Sequence, residues 1–267
     1  MPRIQAGELM LNYAETGEGD AFLFIPGLMG LLEAWDFQIP HFSKRYRCIT
    51  FDHRGAGESD KPADGYSTEL IAKDAVALLD ALGVERAHVA GTSTGGCVLQ
   101  HLALDHPGRL RCCVFTNTWT RADPYMTRLQ TSRKQIALAY GPEEYIKFSS
   151  LWTCGWTQFR SMYHNLLALE RRQKETIAPV EVLAARLDMT LHHDRSADLS
   201  RIRKPSLIIA AKDDALTPPY FAEDMNRMIQ GSKLVLLEIG GHYSYRRSHK
   251  EWNAAVDAFL AENEGKS

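Results

Sequence analysis

The chain has 267 residues, 45% of them hydrophobic and 24% charged, which is ample material for one large α/β domain or one domain carrying an insertion. Its 31 basic residues offset 33 acidic ones to a net charge of -2, leaving no electrostatic footprint for nucleic acid or an anionic membrane. The start, Met1-Pro2-Arg3-Ile4-Gln5, lacks a basic region followed by an apolar core, and nowhere do about 18 apolar residues run together. A cytoplasmic, unanchored protein is expected, with a small neutral or anionic metabolite as partner and homo-oligomer formation left open. The five cysteines, Cys48, Cys97, Cys112, Cys113 and Cys154, are odd in number and mostly embedded in apolar runs. They read as buried free thiols in a reducing compartment.

Along the chain, Leu9–Ala14 alternates toward a glycine-rich turn, and Ala21–Ile25 is a continuous apolar run. Both read as strands, the second buried on both faces. Helix-like residues from Glu33 to Lys44 lead to a strand over Tyr46–Phe51. A helix over Thr68–Leu82 stops at Gly83, as a C-terminal glycine cap would make it. A short strand over Arg86–Ala90, a helix over Cys97–Leu104 and a strand over Arg111–Thr116 follow. From Trp119 to Ile202 the residues carry aromatics, arginines and helical periodicity but no convincing strand. Pro205–Ala211 restores the strand pattern, and Pro219–Ile229, Lys233–Ile239 and Lys250–Ala261 complete it as helix, strand and helix. Buried strands alternating with helices require parallel pairing and right-handed crossovers, so the fold class is α/β. The expected division is a core of residues 1–119 and 203–267 with a helical cap over 120–202. Such a cap would lie over the C-terminal strand edge, where ligands of open α/β sheets bind.

The stretch Gly91-Thr92-Ser93-Thr94-Gly95-Gly96 places a serine on a sharp strand-to-helix turn. There its hydroxyl would leave the end of the sheet, and neighbours bearing a Cβ would clash. A serine hydroxyl needs a base within reach, and that base needs an orienting carboxylate. His101, His106, His249, His41 and His164 lie on or beside helices. His242 instead follows a buried strand and Gly240-Gly241, at the same sheet edge as Ser93. It is the expected base. For the acid, Lys212-Asp213-Asp214-Ala215-Leu216-Thr217-Pro218 follows the restored strand; Asp214 is favoured, with Asp213 and then Asp123 as fallbacks. The oxyanion donors are expected to be the backbone N–H groups of Thr94 and of Leu28 in Pro26-Gly27-Leu28-Met29-Gly30. Neither glycine stretch reads as a dinucleotide fingerprint, and His192-His193-Asp194 lacks a third spaced ligand, so neither cofactor nor metal is expected.

These residues, together with Asp52-His53-Arg54-Gly55-Ala56-Gly57-Glu58-Ser59, resemble the α/β-hydrolase family over essentially the whole chain. Within it the sequence is most similar to the small capped members that include 3-oxoadipate enol-lactonases and the aminoacrylate hydrolases of pyrimidine breakdown. Asn117-Thr118-Trp119-Thr120-Arg121 and Asp198–Pro205 resemble the second group. Two departures are Pro26 and Thr92, which stand where many members have His. The resemblance implies a cofactor-free serine hydrolase of a small, carboxylated ester, enol-lactone or enamine-like metabolite. Alternatives are a hydrolase that cleaves a carbon–carbon bond of a ring-fission diketone with the same triad, and a non-catalytic ligand-binding member of the fold. Trp119, Trp152 and Trp156 are candidates for an apolar pocket wall, and Arg121 for a bidentate partner of a substrate carboxylate.

Overall fold

The computed structural model describes residues 2–154, 156–161 and 163–263. Its elements run β1 (Arg3–Ala6), β2 (Leu9–Thr16), β3 (Ala21–Ile25), α1 (Ile39–Phe42), β4 (Arg47–Phe51), α2 (Thr68–Ala81), β5 (Ala87–Thr92), α3 (Thr94–Asp105) and β6 (Leu110–Thr116). The helices α4 (Pro124–Cys154), α5 (Trp156–Ser161), α6 (Tyr163–Thr176) and α7 (Val180–His192) come next. Then follow β7 (Ser206–Ala211), α8 (Tyr220–Met228), β8 (Lys233–Leu237), α9 (Ser244–Arg247) and α10 (His249–Asn263).

The eight strands form one sheet in the order β1-β2-β4-β3-β5-β6-β7-β8. From β4 to β8 every pairing is parallel, whereas β1 on β2 and β2 on β4 are antiparallel. The α/β architecture is thus as expected. The sequence reading missed β1, whose four residues alternate too briefly to stand out, and with it the antiparallel edge. One aromatic-rich core, with Phe22, Phe24, Trp35, Phe42 and Trp252, fills one face of the sheet; the other face packs Leu23, Ile49, Ile71, Leu78, Val98 and Met225. Burial on both faces explains why β3 reads as an unbroken apolar run and why β5 and β7 are buried throughout.

Local chemistry sets the boundaries. The Ser67 hydroxyl caps α2 by accepting from Leu70 N–H at 3.0 Å, and Gly83 ends it at φ +65°. The expected helix over Glu33–Lys44 is broken: a 3₁₀ turn over Leu32–Trp35 is separated from α1, which starts with Pro40 in its first turn. Pro40 has no N–H to donate, so a continuous helix through it would lose a bond and gain a clash. Helix α4 is likewise interrupted at Gly141, φ +84°, just before Pro142.

The order of formation around β3 positions the site. After β3 the chain builds β4 on one side, then returns to the other side of β3 to lay down β5. The loops leaving β3 and β5 therefore diverge and open a crevice between them. The first carries Gly27–Gly30 and the second Ser93, and the inserted helices α4–α7 reach the same crevice from between β6 and β7.

Candidate active site

At the end of β5 the backbone turns so sharply that Ser93 adopts φ 54°, ψ -122°, a conformation costly for any residue with a Cβ. The turn closes because two neighbours lack side chains. A Cβ on Gly91 would overlap the Gly95 carbonyl, and one on Gly95 would overlap the carbonyls of Ile25 and Pro26. The strained serine is held by its own N–H, donated to Thr116 O at 2.8 Å, and by its carbonyl, which accepts from Thr118 Oγ1 at 2.7 Å and Gly96 N–H at 2.9 Å.

The Ser93 hydroxyl lies 2.9 Å from His242 Nε2, and His242 Nδ1 lies 2.9 Å from Asp214 Oδ2. A carboxylate can only accept, so Nδ1 carries the proton and Nε2 is free to accept from Ser93. All three side chains are buried. Asp214 also accepts from the N–H groups of Leu216 (2.8 Å) and Thr217 (3.0 Å), the Thr217 hydroxyl (2.7 Å) and the Asn117 amide. Burial alone would raise its pKa, but the His242 ring and these donors outweigh it and hold the carboxyl below its ordinary value. Asp213 turns away and accepts from Gly241 N–H at 2.8 Å. Asp123 caps the start of α4 through Met126 N–H at 2.8 Å and accepts from Tyr220 at 2.7 Å.

Asn117 was not singled out in the sequence. It stands just past β6 at φ 45°, a left-handed conformation that Asn tolerates better than most residues, and its amide reaches Asp214 and, at 3.3 Å, the Gly241 carbonyl. An Asn following a buried strand was the available signal.

Leu28 lies in a tight turn closed by Gly30 N–H on Gly27 O at 2.9 Å. Gly27 runs against the nucleophile: a Cβ there would sit 3.3 Å from Ser93 Cβ. Among the described residues no acceptor is bonded to the N–H of Leu28 or of Thr94, the first residue of α3. Both residues line the crevice together with Ser93.

The crevice opens into a cavity of about 490 Å³, lined by Ser93, His242, Leu28, Thr94, apolar residues such as Met29, Leu166 and Leu216, and a polar group from the inserted helices. In that group Arg133 is 4% exposed. Its guanidinium donates to Gln130 Oε1 (2.6 Å), the Tyr145 hydroxyl (2.7 Å) and Ser149 Oγ (3.1 Å), and no carboxylate pairs with it among the described residues. Arg172, Arg246 and Arg247 also line the cavity.

Three of the residues expected to form the pocket wall stand elsewhere. Trp119 is buried with Cys97, Met126 and Phe221 behind α3. Arg121 is exposed and forms a β-bridge with Asp194. Trp152 packs near Phe148 outside the cavity lining. The insertion leaves the sheet at the end of β6, and its first residues pack against α3 and α8 or pair with Asp194 instead of lining the crevice. The side chain of Trp156 lies outside the described residues. Arg133 was overlooked because on the sequence it is one of several basic residues in a helical stretch. Its interior location depends on how α4 packs.

The fold and this geometry define an α/β-hydrolase. The sequence matches the alpha/beta hydrolase fold family over residues 20–246, and the chain belongs to that family. It is an enzyme, a hydrolase of small substrates, and among its described residues no helix is long and apolar enough to cross a membrane. It is 34% identical over 245 residues, 91% of either chain, to "Putative carbamate hydrolase RutD" of Azorhizobium caulinodans. Among solved structures it is similar to Est816, described as an N-acyl homoserine lactone degrading enzyme, at 26% identity and TM-score 0.86 over 97% of this chain and 100% of that one. It also shares the fold of the enol-lactonase from Burkholderia xenovorans LB400, with TM-score 0.89 and 23% identity over 97% of this chain and 100% of that one.

Proposed function

We propose that this enzyme is a cofactor-independent serine hydrolase that cleaves a small, carboxylated ester, lactone or enamine-like metabolite. The observation that carries the reading is the imidazole of His242, 2.9 Å from both Ser93 Oγ and Asp214 Oδ2, in the lining of the cavity. For an ester or lactone, Ser93 Oγ attacks the carbonyl carbon as its proton passes to His242 Nε2, and Asp214 stabilises the resulting imidazolium. The alkoxide is held by the N–H groups of Leu28 and Thr94. Collapse breaks the bond to the leaving oxygen, which takes the proton from His242. Water, deprotonated by the same imidazole, then releases the acid from Ser93 and restores the hydroxyl.

Arg133 supports an anionic substrate. A buried guanidinium with no carboxylate beside it is costly, and a substrate carboxylate entering the cavity would supply the missing countercharge. Arg133 takes the role first expected of Arg121. The names of the relatives, a carbamate hydrolase and a lactone-degrading enzyme, are compatible with this range of acyl substrates.

The test is Ser93→Ala assayed on a small carboxylated ester, together with a fluorophosphonate probe on the unaltered enzyme. Turnover should fall about 10⁴-fold or more with the fold retained, and the probe should label Ser93. Near-normal turnover in the variant would remove Ser93 as the nucleophile. Assaying an enol-lactone against a ring-fission diketone separates this reading from carbon–carbon cleavage.

A further inference from the structure

Arg186, on α7 of the insertion, is 2% exposed, and among the described residues no carboxylate pairs with it. Burial lowers its pKa to about 10, so it remains a cation at neutral pH. A buried charge without a countercharge needs acceptors for its donors. Four of the five Arg186 N–H groups bond acceptors on two loops of the core. Nε (3.1 Å) and Nη2 both bond the carbonyl of Leu28, Nη1 bonds the carbonyl of Arg54, and Nη2 also reaches His53 Nδ1 at 3.3 Å.

The rest of the neighbourhood accommodates this guanidinium. Gly30, at φ +72°, is the end of the oxyanion turn, and a Cβ there would run into Arg186 Nη2 and come within 2.9 Å of Ala56 Cβ. His53 donates its backbone N–H to Gly30 O at 2.8 Å, and its ring is buried deeply enough to stay neutral, leaving Nδ1 as an acceptor. In the turn Gly27-Leu28-Met29-Gly30 the Leu28 carbonyl belongs to the central peptide, the group that turns over when a β-turn changes type. Gly27 O is held by Gly30 N–H, Gly30 O by His53 N–H, and Leu28 O by Arg186.

We infer that Arg186 is a positioning residue for the oxyanion hole: by clamping the Leu28 carbonyl it holds the central peptide of the turn, and with it the seat of the adjoining Gly27–Leu28 peptide whose N–H faces the alkoxide, and so makes turnover depend on the seating of α7. The inference rests on the proposed serine mechanism. Helix α7 is in turn packed on α4 through Leu183 and Leu187 against Ala137, Tyr145 and Ile146, and through the Lys134–Asp188 ion pair at 2.6 Å. The insertion that lines the substrate cavity thereby also braces the catalytic loop.

The test compares the unaltered enzyme, Ser93→Ala, Arg186→Met and Arg186→Lys on p-nitrophenyl acetate. Active sites are counted with a fluorophosphonate, and affinity is measured for phenylethaneboronic acid, which forms a tetrahedral adduct on the serine. Arg186→Met should lower kcat per counted site about 100-fold, with KM changed less than threefold and boronate affinity falling in parallel. Arg186→Lys keeps the charge and one donor but loses the fork, and should lower kcat about tenfold. Fewer counted sites with normal kcat per site and normal boronate affinity would mean that Arg186 only supports the fold, and would overturn the inference. If Arg186→Met is insoluble, Arg186→Lys decides alone: kcat and boronate affinity within threefold of the unaltered enzyme would equally overturn it. Activity surviving in Ser93→Ala would instead bring down the serine mechanism itself, a result distinct from unaffected Arg186 variants beside an inactive Ser93→Ala.

Discussion

On the proposed function, Arg133 is the side chain that selects an anionic substrate, because it lines the cavity without a carboxylate partner among the described residues while its neighbours Gln130, Tyr145 and Ser149 occupy three of its five N–H groups. Arg133→Met, which keeps the length and removes the charge, should raise KM at least tenfold for a carboxylated ester and change it less than threefold for the matching neutral ester. Equal effects on both esters, measured by initial rates, would separate Arg133 from carboxylate recognition. The choice between the adjacent acids is also a matter of single residues. Asp214 receives donors from Leu216, Thr217, Asn117 and His242, whereas Asp213 faces the backbone of Gly241. Sequence order alone could favour Asp214 but could not display this difference, since both residues follow the same strand in the same composition. Asn117 was visible as a residue tolerant of the left-handed region, yet its partner stands 97 positions away.

Elements were legible where the periodicity is long and failed where a short stretch or a proline intervened. The apolar runs of β3 and β7 and the capped helix α2 announce themselves; β1 is four residues long, and Pro40 divides what reads as one helix. The elbow between β5 and α3 shows how sequence and close packing meet. Gly91 and Gly95 are required there because a Cβ on either would enter neighbouring backbone, which cannot move aside as a side chain can. Gly95→Ala should therefore cost roughly 3 kcal/mol or more of stability, or prevent folding. Gly108→Ala, at a position where a Cβ meets nothing, should lie within about 1 kcal/mol of the unaltered protein. Urea unfolding of the two variants checks this, and equal midpoints would contradict the packing argument. The insertion α4–α7 was legible as helical, but the face each helix turns to the cavity was not, and so its first aromatic and basic residues were assigned to a pocket they do not reach.

At the scale of the whole molecule, four buried histidines, His53, His88, His101 and His193, are held below their ordinary pKa by burial and bear on how the fold responds to acid. Burial lowers the pKa of His193 to about 3 and of His88 to about 4, and moves that of His53 well down. Unfolded, each binds a proton below its ordinary value near 6.5; folded, each stays neutral. Stability contributed by these groups is thus complete above about pH 6.5 and declines as the pH falls toward the folded values, by roughly 1.4 kcal/mol per pH unit for each histidine. Asp214, whose carboxyl is held low when folded, adds a loss at still lower pH. Urea midpoints should therefore drop between pH 7 and pH 5, and less steeply in His88→Phe; midpoints flat over that range would contradict the account. Two facts about this molecule are contained in the amino-acid order: alternating buried strands and helices make a doubly covered α/β sheet, and glycines flanking a serine make a sharp turn at its edge. Both follow from interactions among residues a few positions apart, chiefly periodic burial and the steric demand of a missing Cβ. The convergence of Ser93, Asp214 and His242, the choice of Arg133 over Arg121 at the cavity, and the clamp from Arg186 to Leu28 were decided only by tertiary packing. Each joins segments separated by tens to well over a hundred residues, and no local preference specifies which distant side chains a crossover will bring face to face.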